Sequence, residues 1–202
     1  MFTWLPMDHL PQVPDHLVKI ANNLIDNKMD GDSDFVKQID HSLYQNRTLK
    51  LNNGSKVISR MQRGIMMPSE WDQWVKENIV SEFIETSIRV SEGSSETHGA
   101  HCDFRRKWKL YYLLSRGGDT ATTYFYKQKG YPIVREEITD QDTQLISVND
   151  YSELEIVDSV QWPLNQWVLL NTMVLHGVEG ITGLRTNFTI GIRPDYSLLF
   201  KK

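Results

Sequence analysis

Apolar positions recur at two different spacings along this chain, and the change falls near residue 83. Leu17, Ile20, Ala21, Leu24 and Ile25, entered at Pro14-Asp15, follow the i, i+3, i+4, i+7, i+8 rhythm of one buried helix face. The Asn-, Asp- and Gly-rich run 27–32 ends that helix. Phe35, Val36, Ile39 and Leu43 predict a second helix, capped by Ser33-Asp34. Asn52-Asn53-Gly54 predicts a hairpin turn between 48–51 and 56–59. Pro68-Ser69 opens a third helix with Trp71, Trp74, Val75 and Ile79 as its apolar stripe, and Asp72 follows Ser69 at capping-box spacing. Such stripes predict core, so the helices read as scaffold.

After residue 83 the period shortens to two. The spacing predicts strands over 83–90, 98–103, 108–114, 120–126, 154–160, 167–175 and 185–192, rich in β-branched and aromatic residues. The polar stretch 127–150 reads as a long loop or short hairpin. Several short strands without intervening helices predict an antiparallel sandwich or barrel. No repeat or linker divides the chain, so 1–202 is expected to be one domain.

Composition narrows the function classes. The 202 residues are 40% hydrophobic with six Trp, eight Tyr and seven Phe, enough for a sizeable core. A net charge of −4 argues against a general nucleic-acid binder. The single cysteine, Cys102, allows no intrachain disulfide, and no secretory or membrane-spanning run is evident, so a cytoplasmic protein is expected.

The chemistry concentrates in His101-Cys102-Asp103, His176 and Arg185. Side chains two apart on a strand share a face, so His101 and Asp103 point the same way and Cys102 points away as a small buried filler. A second imidazole from His176 gives the two-histidine, one-carboxylate set of non-haem Fe(II) oxygenases. On the last strand, Thr186, Phe188, Ile190 and Ile192 share one face, and Arg185, Asn187, Thr189 and Gly191 the other. That polar face needs a partner, and the planar guanidinium fork matches a carboxylate. Gly177, Gly180 and Gly183 are read as the turn that sets His176 and Arg185 on adjacent strands.

These residues resemble the signature of the Fe(II)/2-oxoglutarate-dependent dioxygenases over roughly 88–193. The branch they look most like is the prolyl 4-hydroxylases, through Leu110-Tyr111-Tyr112-Leu113 and Gly117-Gly118-Asp119-Thr120. The resemblance implies a mainly β fold with N-terminal helices: a double-stranded β-helix (jelly-roll, cupin-like) core over 83–195 on a mostly helical support over 1–82. It implies Fe(II) held by His101, Asp103 and His176, with no catalytic residue beyond these ligands. It implies 2-oxoglutarate bound by Arg185, Tyr112 and Thr189, with Tyr111 as the alternative should the register slip by one. The expected activity is hydroxylation by O2 of a small metabolite or a peptidyl residue such as proline, with 2-oxoglutarate decarboxylated to succinate and CO2. The substrate itself is not legible, and neither nucleic acid nor membrane is an expected partner.

Blander readings accompany these. A non-catalytic barrel, or a cupin-like metal barrel without a cosubstrate, is the competing class. Arg105, Arg106, Lys107 and Lys109 read first as a solvated turn and second as a steering patch for acidic molecules. His98 reads as a loop histidine and His9, His16 and His41 as solvent-facing. Arg60 and Arg63, beside Met61, Met66 and Met67, are candidates for a substrate groove.

Overall fold

The computed structural model describes residues 2–27, 47–51, 54–59, 63–91, 96–103, 107–129, 136–140, 143–148, 150–192 and 199. Two helices are described, α1 (Asp15–Asp26) and α2 (Ser69–Asn78). The strands are β1 (Trp4–Pro6), β2 (Arg47–Lys50), β3 (Lys56–Ser59), β4 (Arg63–Ile65), β5 (Phe83–Ser91), β6 (Glu96–Asp103) and β7 (Trp108–Arg116). They continue with β8 (Thr122–Gln128), β9 (Glu136–Asp140), β10 (Thr143–Ser147), β11 (Leu154–Val160), β12 (Trp167–Asn171), β13 (Leu175–Ile181) and β14 (Arg185–Ile192).

The strands form two sheets, and the pairing is almost wholly antiparallel. The first runs β1-β12-β7-β14-β5-β4 and the second β11-β8-β13-β6-β10-β9, with the β2–β3 hairpin joined to β6 by one parallel bridge. Alternation along β14 dictates how the first sheet is covered. Phe188, Ile190 and Ile192 join Leu17, Ala21, Trp71 and Val75 in one core on its helix side. Trp71 stacks on Phe188 with ring centroids 4.4 Å apart. The opposite face of the sheet supplies Leu113, Val168 and Leu170, which meet Phe125 of β8 and Trp162 in a smaller apolar cluster. A third cluster, with Ala100, Tyr126, Tyr151 and Leu154, covers the far side of the second sheet.

Several expectations change. The helix predicted around 35–43 lies outside the described residues. Before residue 83 the described residues contribute β1–β4 as well as α1 and α2, and β2–β3 is the hairpin expected around 52–54. Ser69 is the first helical residue and makes no capping bond; Pro68 occupies the cap. Asp72 instead accepts a 2.6 Å hydrogen bond from Thr86 Oγ1, tying α2 to β5. Of the two readings of 127–150, the hairpin is the one found: β9–β10 extends the second sheet past β6. The predicted strand over 167–175 is two elements: β12 ends at Asn171, and β13 carries His176 straight through Gly177 and Gly180. Gly180 is a positive-φ position within β13, not a turn between strands. His176 and Arg185 therefore sit on opposing sheets, not on adjacent strands. No described helix is long and apolar enough to cross a membrane.

Candidate functional site

The polar half of the inter-sheet space is built on one register pair. His176 of β13 stands opposite His101 of β6, with ring centroids 4.5 Å apart and planes inclined by 46°. Each Nδ1 lies 2.8 Å from the carbonyl oxygen two residues earlier, that of Gly99 for His101 and Val174 for His176. Donation from Nδ1 leaves the lone pair on Nε2, the arrangement in which an imidazole binds a metal. Burial pushes the pKa of His101 below its ordinary value. His176 goes well below it, through burial and then the neighbouring His101. Both shifts favour the uncharged imidazole.

Asp103 is two residues from His101 and buried. Its N–H donates to Thr172 O (2.9 Å), and Thr172 Oγ1 donates back to its carbonyl (3.2 Å), so the strand end is held from the β12–β13 turn. Its carboxylate is met by Lys109 of β7, with Nζ 2.9 Å from Oδ2. The described residues contain no group of three or more His, Cys, Asp or Glu arranged to hold a metal ion. The structure thus brings the two imidazoles together, with Asp103 facing an ammonium. Lys109 was grouped with a solvated turn; its side chain is only 11% exposed and belongs to the inner wall. Lys107 is exposed, and Arg105 and Arg106 lie outside the described residues.

Arg185 opens β14 on the inner face and is buried. Nη1 donates to Arg116 O (3.1 Å), while Nε has no partner among the described residues. Burial lowers its pKa to about 10, against the opposing influence of Tyr111. A tight turn shapes this corner: Thr182 N and Gly183 N donate to Gly117 O at 2.7 and 2.8 Å. Gly117 has φ +77, and a Cβ there would come within 2.7 Å of the Arg185 Cβ. Thr189 shares the Arg185 face; its hydroxyl lies 3.1 Å from Ser87 Oγ and 3.2 Å from Ser87 O. Asn187, between them, is buried with Oδ1 unpartnered among the described residues.

Tyr112 is on the wrong side of the sheet for the role expected of it. It pairs with Phe188, packs 5.0 Å from Trp167 in the helix-side core, and hydrogen-bonds the Val13 backbone. Tyr111, opposite Thr189, takes the inner face and influences both Arg185 and Arg89. The cause is strand alternation: a pair of adjacent tyrosines must divide between two faces.

Arg89 of β5 is a site residue that sequence reasoning missed. Ile88 and Val90 lie in the helix-side core, so Arg89 is turned inward, where it pairs with Glu85 (3.3 Å) and burial lowers its pKa against the opposing influence of Tyr111 and Asp103. Parity was the available signal, since β5 alternates as clearly as β14. Cys102 packs partly buried against the far-side cluster. His16 is exposed against Glu70, and His9 bonds Leu199 O. Met67 is core and Met66 exposed; His41, Arg60 and Met61 lie outside the described residues, as do the side chains of His98 and Arg63.

No protein-family model matches the chain, and no curated protein matches it. Among solved structures it is similar to the crystal structure of AviO1 from Streptomyces viridochromogenes Tue57. That likeness has a TM-score of 0.42 and 10% identity, over 96% of this chain and 90% of the other.

Proposed function

We propose that the protein is an Fe(II)- and 2-oxoglutarate-dependent dioxygenase that hydroxylates a small metabolite or peptidyl residue on a double-stranded β-helix. The observation that carries this is the His101–His176 pair, two rings with centroids 4.5 Å apart, each anchored through Nδ1 to a backbone carbonyl. Strand order supports the fold. Of the eight strands β5–β8 and β11–β14, one sheet takes β12-β7-β14-β5 and the other β11-β8-β13-β6, the interleaving of a jelly roll.

The residues fit the implied groups in part. The two imidazoles suit ferrous iron, and Asp103, now paired with Lys109, would complete the donor set only by leaving that ammonium, since the described residues form no three-ligand group as they stand. Arg185, with its unpartnered Nε, and Thr189 suit the far carboxylate of 2-oxoglutarate. Tyr111 replaces Tyr112 as the inward tyrosine. Bound iron would supply oxygen activation coupled to conversion of 2-oxoglutarate to succinate and CO2. The chain's own part is to present Nε2 lone pairs, orient the cosubstrate through Arg185, and exclude water with the cluster around Phe125 and Trp162.

Lys109 is the feature that favours the alternative, a non-catalytic or cosubstrate-independent cupin-like barrel. An ammonium already satisfies Asp103, and a metal must compete with it. Anaerobic titration with Fe(II) and 2-oxoglutarate, followed by succinate release in air, separates the readings. The dioxygenase binds both ligands, loses metal binding in H176A, and loses 2-oxoglutarate affinity about 10- to 100-fold in R185Q, the effect of about 1.5–3 kcal/mol from a charged hydrogen bond. Binding of neither ligand by the wild type overturns it. Metal binding that R185Q leaves intact, with no 2-oxoglutarate affinity in the wild type, identifies the alternative.

A further inference from the structure

We infer that Lys109 is a latch between the two sheets, and that the latch and a divalent metal exclude one another at Asp103. The metal's part in this rests on the dioxygenase reading; the latch is a feature of the chain itself.

The three candidate ligands all come from one sheet. His101 and Asp103 lie on β6 and His176 on β13, its neighbour in the second sheet. Lys109 lies on β7 of the first sheet, opposite Leu170 and Gly191. Its 2.9 Å contact with Asp103 Oδ2 is therefore a tie across the inter-sheet space, with side chains 11% and 2% exposed. The pairs Arg89–Glu85 and Lys127–Glu155, by contrast, each stay within one sheet.

The exchange needs no change of backbone. Thr172 holds the N–H and carbonyl of Asp103, and Leu145 of β10 stands opposite it in the ladder. What can move is the carboxylate and the lysine stem. An ammonium is a compact charge on a flexible four-carbon chain, able to withdraw along apolar surface towards water. The two imidazoles stay as they are, because each Nδ1 is engaged by a backbone carbonyl whichever cation Asp103 holds.

Linkage makes the two events reciprocal. Whatever weakens the latch tightens metal binding, and metal loosens the latch by the same factor. Lys109 thus sets the affinity of the site from the opposite wall, as a positioning residue that acts through Asp103.

The probe is Zn(II) alone, titrated against a chromophoric chelator into wild type, K109Q, D103N and the double variant. K109Q should bind Zn(II) about tenfold more tightly than wild type, and the gain should vanish on the D103N background. K109R, which keeps a cation on the first sheet, should stay near wild type. A second measurement needs no variant: acylation of Lys109 by an N-hydroxysuccinimide ester, mapped by mass spectrometry, with exposed Lys127 as the internal reference. Zn(II) should accelerate modification of Lys109 and leave Lys127 unchanged. Equal Zn(II) affinity in wild type and K109Q, a gain that persists in D103N, or Lys109 acylation indifferent to bound Zn(II) overturns the latch. Zn(II) binding without 2-oxoglutarate binding sinks the dioxygenase reading and leaves the latch to be decided by these same measurements. Zn(II) binding by neither wild type nor K109Q ends both.

Discussion

Lys109 reaches across the space between the sheets to Asp103, Nζ to Oδ2 at 2.9 Å, with the two side chains 11% and 2% exposed. An ion pair this buried is costly to break from one side, because the remaining charge stays out of water. K109M should destabilise the metal-free protein by about 3–5 kcal/mol. Zn(II) should restore much of that loss, since a cation at His101 and His176 would answer the orphaned carboxylate. Urea unfolding of wild type and K109M, each with and without Zn(II), measures both effects. Equal loss with and without metal would argue that Asp103 is no ligand.

The division of the two tyrosines can be read in paired variants. Y112F removes a hydroxyl bonded to the Val13 backbone in the helix-side core. It should cost about 1 kcal/mol and leave 2-oxoglutarate affinity unchanged. Y111F should do the reverse, with little change in stability and weaker cosubstrate binding. Denaturant midpoints and anaerobic titrations on the same preparations decide it, and interchange of the two phenotypes would mean the opposite register.

Gly117 links backbone conformation to the placement of Arg185. Alanine there combines a left-handed φ of +77 with a Cβ 2.7 Å from that of Arg185. G117A should lose about 1–3 kcal/mol and weaken 2-oxoglutarate binding at the same time. A stable variant with full affinity would show that this corner yields without moving the guanidinium.

Asp150 supplies a pH-dependent contribution remote from the site. Its side chain accepts from Ser152 N at the start of the 3-10 turn Tyr151–Glu153. Its pKa is lowered to about 2, first by the hydrogen bonds from Ser152 and then by Lys50. A depressed carboxylate stabilises the fold above its unfolded value near 3.8 and loses that contribution as pH falls towards 2. D150N should therefore lower the urea midpoint at pH 7, and the gap from wild type should narrow at pH 3. A gap that widens on acidification contradicts the assignment.

Much of this architecture was legible in residue spacing. Phe188, Ile190 and Ile192 declared the buried face of β14, and with it the inward placement of Arg185 and Thr189. The pairing of His101 with His176 followed only from treating distant motifs as one site. What failed did so for physical reasons. Gly177 and Gly180 look like turn residues, yet β13 absorbs them by an irregular ladder with β6. Tyr111 and Tyr112 are equally amphipathic, so composition cannot choose between them. Lys109 follows other basic residues, and only the alternation of β7, which also turns Tyr111 and Leu113 inward, separates it from solvent.

The β9–β10 hairpin lies far from the chemistry in sequence but matters for it. β10 pairs with β6 from Ser147↔His101 to Leu145↔Asp103, while β13 holds the other side of β6. Without that hairpin, the strand bearing His101 and Asp103 would be a border, its unsatisfied peptide groups open to a foreign chain. Enclosure on both flanks gives these two side chains a stiff footing and closes a route to sticky self-association.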